Sequence, residues 1–134
     1  MNAEDLCFLP AAELARRIRA GEFSALEVTD SFLGRIESLD SQLHSYITVT
    51  GELARAQAQE ADRRRARGAH APLLGVPYGR KDMFETAGVR TTAHSRVLQD
   101  HVPAHDAHTV TRLKQAGAVL LGKQACHEFA HGGP

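Results

Sequence analysis

The first part of the chain alternates apolar and polar positions at helical spacing. Leu14 and Ile18 are four residues apart, and residues at this spacing share one face of a helix. Pro10 precedes this segment and Gly21 follows it; these residue types are favoured near the start and just past the end of a helix. The pattern therefore predicts a short amphipathic helix between Pro10 and Gly21.

A longer helix is predicted from a capping pattern followed by an apolar stripe. Ser24 is followed three residues later by Glu27, the capping-box arrangement in which each side chain accepts a hydrogen bond from the other residue's backbone amide. The stripe repeats at spacings of four, three and four residues and consists of Phe32, Ile36, Leu39 and Leu43. This periodicity indicates that one face of the helix packs against the rest of the domain.

A short strand and a third helix follow. Residues Tyr46 to Val49 alternate and are partly β-branched, which favours a strand. The helix predicted from about Glu52 to Arg67 presents a narrow face of Ala54, Ala58 and Ala61. Several arginines stand at its end, where cations interact favourably with the helix dipole. No aromatic residues are interleaved with them, so they do not indicate a nucleic-acid surface.

After the third helix the pattern changes to short apolar runs separated by glycine. Residues 73–79 predict a strand that ends near Lys81, and residues 118–122 predict a short buried strand. The helix between the two strands is predicted to be capped by Asp106 and to end at Gly117, since glycine tolerates the left-handed backbone conformation.

Length and composition indicate a globular domain of the α/β class. The chain has 134 residues, of which 43% are hydrophobic and 24% are charged, and these values are ordinary for one soluble domain. Residues 1–72 are predicted to be mainly helical. Residues 73–134 are predicted to place two strands and one helix around a central sheet, which gives the α/β class.

Charge and cysteine usage exclude several function classes. Sixteen basic residues balance sixteen acidic ones, so no net field attracts nucleic acid or an anionic membrane. No long apolar run is present, and acidic residues stand near the N-terminus where a signal peptide would carry positive charge. Cys7 and Cys126 are far apart in sequence and form no CxxC pair. The expectation is a cytoplasmic protein with neither nucleic acid nor membrane as a partner.

Four motifs in the second half carry the strongest functional signal. In order along the chain they are GVPYGRKD at 75–82, TTAHSR at 91–96, AGAVLLGK at 116–123 and HEFAHGG at 127–133. Their order and spacing resemble the N-terminal third of the amidase signature family. The resemblance implies a mixed β-sheet flanked by helices, of which this chain holds the N-terminal part of a single domain, so that the sheet is truncated.

The resemblance also implies a catalytic residue and a mechanism. Lys81 stands where the family has its lysine, which as a neutral amine accepts a proton relayed from the nucleophilic serine through a serine in a cis peptide. Burial in an apolar sheet interior favours the neutral amine by lowering its pKa. Both serines would lie in a glycine- and serine-rich stretch beyond Pro134. The implied activity is hydrolysis of a small-molecule carboxylic amide, with no metal or organic cofactor.

Several residues depart from the family's pattern. Arg80 stands where an apolar residue is common, and alternation along a strand points it away from Lys81. His94 replaces a small glycine, and residues 124–126 replace a TNM sequence. Ser95 is the only serine near the motifs, but it belongs to the TTAHS segment (residues 91–95) rather than to a glycine-serine loop. We therefore do not assign it as the nucleophile.

A competing motif overlaps the last of the four. His127, Glu128 and His131 form the pattern HExxH, in which two histidines on one helix face bind zinc and the glutamate activates water. Residues 132–134 are Gly, Gly and Pro, which would break such a helix. The amidase resemblance already accounts for the HEFA segment (residues 127–130) as a variant of DEFA. A zinc hydrolase is therefore the less favoured hypothesis.

Two levels of function are expected. The family resemblance predicts cleavage of carboxylic amide C–N bonds, whereas this polypeptide supplies only Lys81 and is expected to be inactive alone. The alternative is a non-catalytic remnant, or a subunit that complements a separate C-terminal amidase portion. This alternative includes a role like that of the amidotransferase subunits that amidate charged tRNA. A truncated sheet leaves an open edge and apolar surface, which favour homo-oligomers.

Overall fold

The computed structural model of the chain describes residues 3–132, so Gly133 and Pro134, expected above to break a helix, lie outside the described residues. The helices are α1 (Ala3–Leu6), α2 (Ala11–Ala20), α3 (Ala25–Leu43), α4 (Gly51–Ala66) and α5 (His108–Gln115). The strands are β1 (Tyr46–Val49), β2 (Pro77–Lys81) and β3 (Val119–Gln124), and two 3₁₀ turns span Arg96–Leu98 and Glu128–Ala130. This architecture confirms the predicted α/β class. Within residues 3–132, no helix is both long and apolar enough to cross a membrane.

The ends of α2 and α3 are set by the residues that the sequence indicated. Gly21 adopts a left-handed conformation with φ +76°, and its amide donates to the carbonyl of Ile18 at 3.0 Å. The Ser24 hydroxyl accepts from the Glu27 amide at 3.0 Å, while the Ser24 amide donates to the Glu27 carboxylate at 2.8 Å. Both orphan amides at the start of α3 are thereby satisfied. The predicted capping box is confirmed.

The alanine face of α4 lies against α3 and β3. Ala54 and Ala58 are fully buried and Ala61 is nearly so, as the small-residue spacing predicted. The side chain of Gln57, from the same helix, accepts a hydrogen bond from the Leu120 amide at 2.8 Å. This bond fixes α4 along the strand at the centre of the sheet.

The sheet is mixed and has the strand order β1-β3-β2. β3 is antiparallel to β1 and parallel to β2, and its residues from Val119 to Lys123 are all buried. In the parallel ladder, Arg80 lies opposite Lys123 and Lys81 lies opposite Gln124. The carboxyl ends of β2 and β3 therefore meet at one edge of the sheet.

The turn before β2 requires glycine. Gly75 has φ +80°, and a Cβ atom added to it would lie 2.6 Å from the Cβ of Ala25. Its amide donates to the carbonyl of Gly117 at 2.9 Å. This close approach places the start of β2 against the first turn of α3, where a larger residue would both clash and strain the backbone.

A single apolar core joins the helices to the sheet. Its buried members are Leu6, Leu14, Ile18, Ala25, Val28, Leu33, Ala54, Ala58, Ala61, Leu74, Val119 and Leu121. Most of them come from α2, α3 and α4, so the helical layer covers one side of β3 and leaves the carboxyl ends of β2 and β3 to the loops.

The apolar stripe of α3 packs less completely than its periodicity predicted. Phe32 and Ile36 are partly buried against the core, but Leu43 is 65% exposed. The last turns of α3 border an open groove that is also lined by Cys7 and Tyr46. The prediction that the whole stripe packs inward is therefore wrong at the C-terminal end of the helix.

The start of α5 also differs from the prediction. The helix begins at His108, and Asp106 does not cap it. The Asp106 carboxylate instead accepts from the Ala87 amide at 2.8 Å and pairs with Lys114 at 2.5 Å. The predicted left-handed end is confirmed, since Gly117 has φ +85°.

Candidate active site

Lys81 is the last residue of β2, and its side chain is exposed. The preceding residue, Arg80, is buried, so the two cations point to opposite faces of the strand as alternation predicts. β2 is an edge strand of the described sheet. The expectation that Lys81 lies in a buried apolar interior is therefore wrong for this chain, because an edge strand leaves its ammonium group accessible.

The residue after Lys81 belongs to a buried ion pair. Asp82 and Lys123 are both fully buried, with 3.3 Å between Asp82 Oδ1 and Lys123 Nζ. The Asp82 amide donates to the carbonyl of Gln124 at 2.9 Å, which extends the pairing between β2 and β3. Lys123 Nζ also donates to the carbonyl of Phe84 at 3.0 Å. Burial lowers the pKa of Lys123, and the Asp82 carboxylate opposes this shift.

Two adjacent threonines complete the shell around these charges. The Thr91 hydroxyl accepts from Lys123 Nζ at 2.5 Å and donates to the carbonyl of Val89 at 3.1 Å. The Thr92 hydroxyl donates to Asp82 Oδ2 at 2.5 Å, and the Thr92 amide donates to the same oxygen at 3.1 Å. A buried ion pair is tolerated only when such additional hydrogen bonds offset the loss of water. Neighbouring residues of one loop thus bind both members of the pair.

The TTAHS segment connects the end of β2 to the HEFA segment. The Ala93 amide donates to the carbonyl of Asp82 at 2.7 Å, and the Phe129 amide donates to the carbonyl of Ala93 at 2.8 Å. The Ser95 hydroxyl donates to the Glu128 carboxylate at 2.6 Å. The motifs that are separate in the sequence therefore form one contiguous site at the carboxyl ends of the parallel strands.

The middle of the TTAHS segment has an uncommon backbone conformation. Ala93 and His94 have φ values of +50° and +56°, which non-glycine residues rarely adopt. The His94 ring donates from Nδ1 to the carbonyl oxygen of Cys126. The loop is therefore bonded both to Asp82, after β2, and to Cys126, after β3. Strained residues of this kind persist where the surrounding contacts over-determine them, and they cluster at functional sites.

Ser95 has a structural set of contacts. It is 5% exposed, and its hydroxyl accepts from the Val97 amide at 3.2 Å while donating to Glu128. The hydroxyl therefore caps the first 3₁₀ turn and links two loops. These contacts support the sequence-based decision not to assign Ser95 as the nucleophile.

The HExxH residues do not form the helix that zinc binding requires. The second 3₁₀ turn is short, and Phe129 within it has φ +51°. His127 and His131 flank this turn rather than sharing a helix face, and the Glu128 carboxylate is bound by Ser95. Among the described residues, no group of three or more His, Cys, Asp or Glu side chains is placed to hold a metal ion. The geometry gives no support to the zinc hypothesis.

Arg80 lies on the other face of β2 and joins the strand to α5. Its guanidinium group lies 4.3 Å from the centroid of the Phe84 ring and hydrogen-bonds the Thr109 hydroxyl. Arginine stacks on aromatic faces in this way because its charge is delocalised and weakly hydrated. The residue that departs from the family's apolar pattern thus has a packing role behind Lys81.

Sequence reasoning identified Lys81 but missed Lys123. The AGAVLLGK motif predicts only a buried strand, and a lysine at its end is usually a solvated charge. The available signal was positional: Asp82 follows the last residue of β2, Lys123 follows the apolar run of β3, and the two strands are parallel neighbours. Opposite charges at adjacent carboxyl ends of parallel strands are placed to meet.

The fold and the residues around Lys81 match a known family. The family described as Amidase matches the chain over residues 27–133. The chain therefore belongs to the amidase family, and the predicted family resemblance is confirmed.

Comparison with individual relatives gives the extent of the similarity. The A subunit of glutamyl-tRNA(Gln) amidotransferase from Roseiflexus sp. (strain RS-1) is 48% identical over 124 residues, which are 92% of this chain and 26% of that protein. The protein of the same description from Geobacter sp. (strain M21) is 52% identical over 120 residues, 90% of this chain and 25% of that protein. Peptide amidase from Stenotrophomonas maltophilia superposes with a TM-score of 0.85 at 37% identity, covering 91% of this chain and 26% of that chain. This chain thus spans about a quarter of the length of these relatives.

Proposed function

We propose that this chain is the N-terminal part of a single amidase domain and supplies Lys81 to the hydrolysis of a carboxylic amide by a serine, cis-serine and lysine mechanism. The observation that supports the proposal is the exposed position of Lys81 at the end of β2, beside the buried Asp82. Belonging to the amidase family adds the class of reaction.

The proposed chemistry explains why Lys81 must be covered before it acts. Apolar surroundings favour the neutral amine that can accept a proton, because burial disfavours the charged form of a lysine. In the complete domain, the amine takes a proton from the bridging serine, which takes one from the nucleophilic serine. The nucleophile then attacks the carbonyl carbon to form an ester, and the C–N bond breaks as the proton held by the lysine returns through the bridging serine to the leaving amine. Water hydrolyses the ester, which releases the carboxylic acid and restores the serine hydroxyl. The exposed edge at β2 is where the remaining structure would cover Lys81.

By itself the chain is expected to be inactive. The serine nearest the site, Ser95, is buried and uses its hydroxyl in two structural hydrogen bonds. A lysine without a nucleophile and an oxyanion site contributes little catalysis. The proposal includes a small-molecule amide as substrate, no organic cofactor, a cytoplasmic location and no nucleic-acid or membrane partner. It also includes self-association through exposed apolar residues such as Leu43.

The proposal is tested by completing the domain. We would join the chain to the part of Stenotrophomonas maltophilia peptide amidase that lies outside the matching region, and measure ammonia release from a carboxylic amide. Lys81→Arg keeps the charge but cannot act as a base, because arginine stays protonated. It should lower kcat by about 10³-fold or more. Lys114→Arg, at an exposed surface pair, is the matched control and should leave kcat unchanged.

Two results would contradict the proposal. Hydrolysis by the isolated chain that Lys81→Arg abolishes would refute its inactivity alone. A completed domain that is active and equally active with Lys81→Arg would refute the role of Lys81. A folded but inactive completed domain would favour the alternative, a remnant or a subunit with a non-catalytic role.

A second candidate function is nitrogen transfer rather than simple hydrolysis. Two relatives that are A subunits of glutamyl-tRNA(Gln) amidotransferase are 48% and 52% identical to this chain, against 37% for the peptide amidase. The bond cleaved is a carboxylic amide C–N bond in either case, so the same lysine would serve. Supplying glutamine labelled with ¹⁵N in its side-chain amide, together with glutamyl-tRNA(Gln) and the ATP and activating enzyme needed to phosphorylate its side-chain carboxylate, separates the two. Label in the aminoacyl group indicates transfer, whereas label only in free ammonia indicates hydrolysis.

A further inference from the structure

We propose that the buried ion pair of Asp82 and Lys123 is a positioning device for Lys81, which fixes the carboxyl end of β2 and the TTAHS segment against each other. The inference rests on the proposed catalytic role of Lys81. Neither Asp82 nor Lys123 is accessible, so neither can touch substrate. Both are positioning residues.

Asp82 directly follows Lys81, so the direction in which the Lys81 side chain leaves the strand depends on the peptide that joins them. The Lys81 carbonyl accepts from the Met83 amide at 2.8 Å and from the Phe84 amide at 3.3 Å, which closes a tight turn there. The Phe84 carbonyl in turn accepts from Lys123 Nζ. Lys123 therefore contacts two residues, Asp82 and Phe84, of the turn that begins at Lys81.

Adjacent residues of the TTAHS segment bind opposite members of the ion pair. Thr91 binds the positive member of the pair and Thr92 binds the negative one. A displacement of the loop along the strand would break contacts to both charges at once. The backbone of the next residue, Ala93, has a positive φ and donates to the Asp82 carbonyl. The pair thus determines the register between the loop and the end of β2.

The ion pair is a poor source of stability. Taking two charges out of water costs several kcal/mol per ion, and apolar residues of similar volume are often at least as stabilising in their place. The contact between Nζ and Oδ1 is 3.3 Å, and within the described residues Oδ1 has no hydrogen-bond partner. Stability is therefore a weak reason for this pair. Directional control of the neighbouring catalytic lysine is the function that apolar residues could not supply.

The decisive variant replaces both charges together. Asp82→Leu/Lys123→Met removes the pair without leaving a lone buried charge, although the Thr92 hydroxyl and the Phe84 carbonyl lose their partners. It should therefore lower the melting temperature less than Lys123→Met alone does. In the completed, active domain, kcat should nevertheless fall by about 10²-fold, because displacements near 1 Å cost this much. KM should change less than about threefold, since substrate contacts are untouched. In the isolated chain, amide exchange at Ala93 should become at least about tenfold faster.

Single variants separate positioning from simple loss of folding. Lys123→Met leaves the Asp82 carboxylate buried alone and should lower the melting temperature by about 10 °C or more. If the double variant fails to fold, Asp82→Asn/Lys123→Met decides, because the Asn amide oxygen still accepts from Thr92 while neither buried charge remains. It should lower kcat at least about tenfold. Lys114→Met, which removes a partly exposed pair with Asp106, is the control and should leave kcat and the exchange rate at Ala93 unchanged.

The outcomes distinguish this inference from the proposed function. A stable double variant with kcat within threefold of the parent and unchanged exchange at Ala93 would overturn the positioning role, even if Lys81→Arg abolishes activity. If Lys81→Arg has no effect, the proposed function fails instead, while faster exchange at Ala93 in the isolated chain would still support the structural coupling. An unchanged melting temperature for Lys123→Met would contradict a buried ion pair.

Discussion

The helical half (residues 3–72) and the motif-bearing half (residues 73–132) of this chain fill their interiors with different kinds of side chain. In the helical half the buried residues are almost all apolar, with Thr29 as the one buried polar residue among those described. In the motif-bearing half the buried polar and charged residues are Arg80, Asp82, Thr86, Thr91, Thr92, Ser95 and Lys123. The helical half is thus held by apolar packing, whereas the motif-bearing half adds buried hydrogen bonds between loops to its own apolar contacts.

The difference separates two tasks of a protein interior. Apolar burial is non-directional and tolerates rearrangement, so it stabilises a fold without fixing any one group closely. Buried hydrogen bonds are directional and costly when broken, so they specify one arrangement. The motif-bearing half places Lys81, the proposed catalytic residue, and its interior adds contacts of the second kind.

The largest change in the free energy of unfolding should come from truncating a buried side chain in the helical half. Ile18 is 1% exposed at the centre of the core, and Ile18→Ala should lower the free energy of unfolding by about 2–5 kcal/mol, because it removes buried methylenes and leaves a cavity. Urea denaturation followed by circular dichroism measures this change. Leu43→Ala is the matched control, since Leu43 is 65% exposed, and it should change stability by less than about 0.5 kcal/mol. Equal losses in the two variants would refute the described core.

The same substitution, threonine to valine, should change the free energy of unfolding in opposite directions in the two halves. Thr91→Val keeps the side-chain shape but removes the acceptor of Lys123 Nζ, and leaving a buried donor unsatisfied should cost about 1–3 kcal/mol. Thr29 is equally buried, but within the described residues its hydroxyl has no hydrogen-bond partner. Thr29→Val should therefore be neutral or stabilising by up to about 1 kcal/mol. Equal destabilisation by Thr91→Val and Thr29→Val would refute the difference between the two interiors.

The smallest predicted effect concerns a surface charge of the helical half. Hydrogen bonds from Arg16, and then from Arg17, lower the pKa of Glu13 to about 2. A carboxyl group whose pKa is lowered by folding adds stability above its unfolded pKa of about 4.3 and loses it as the pH falls towards 2. The melting temperature of Glu13→Gln should therefore lie slightly below the parent at pH 7 and meet it near pH 2. A difference that stays constant over this range would show that the carboxylate charge is not involved.

Local features of the fold were predictable from the sequence. The capping box at Ser24, the left-handed Gly21 and the alanine face of α4 depend on residues a few positions apart, and all were confirmed. The strand at Tyr46–Val49 was also correct. In each case the periodicity or the cap depends on the same residues that form the element, so no distant contact was needed.

Features that depend on distant partners were not predictable. Asp106 is a good capping residue by type, but Ala87 and Lys114 use its carboxylate instead. The burial of Lys123 depends on Asp82 and on the loop around Thr91, which no window around Lys123 contains. The position of Lys81 followed from the family motif. Its exposure depends on which strands lie beside β2, and that is a property of the whole sheet.

The place of β3 at the centre of the sheet sets an order in which the chain can fold during its synthesis. β1 and β2 both pair with β3, yet β3 is the last of the three strands to leave the ribosome. Until it emerges, the other two strands have unpaired edges while the local contacts of the helices can already form. Closure of the sheet is therefore a late, long-range step, and the interval before it is when the nascent chain is most exposed to aggregation and most suited to binding by a chaperone.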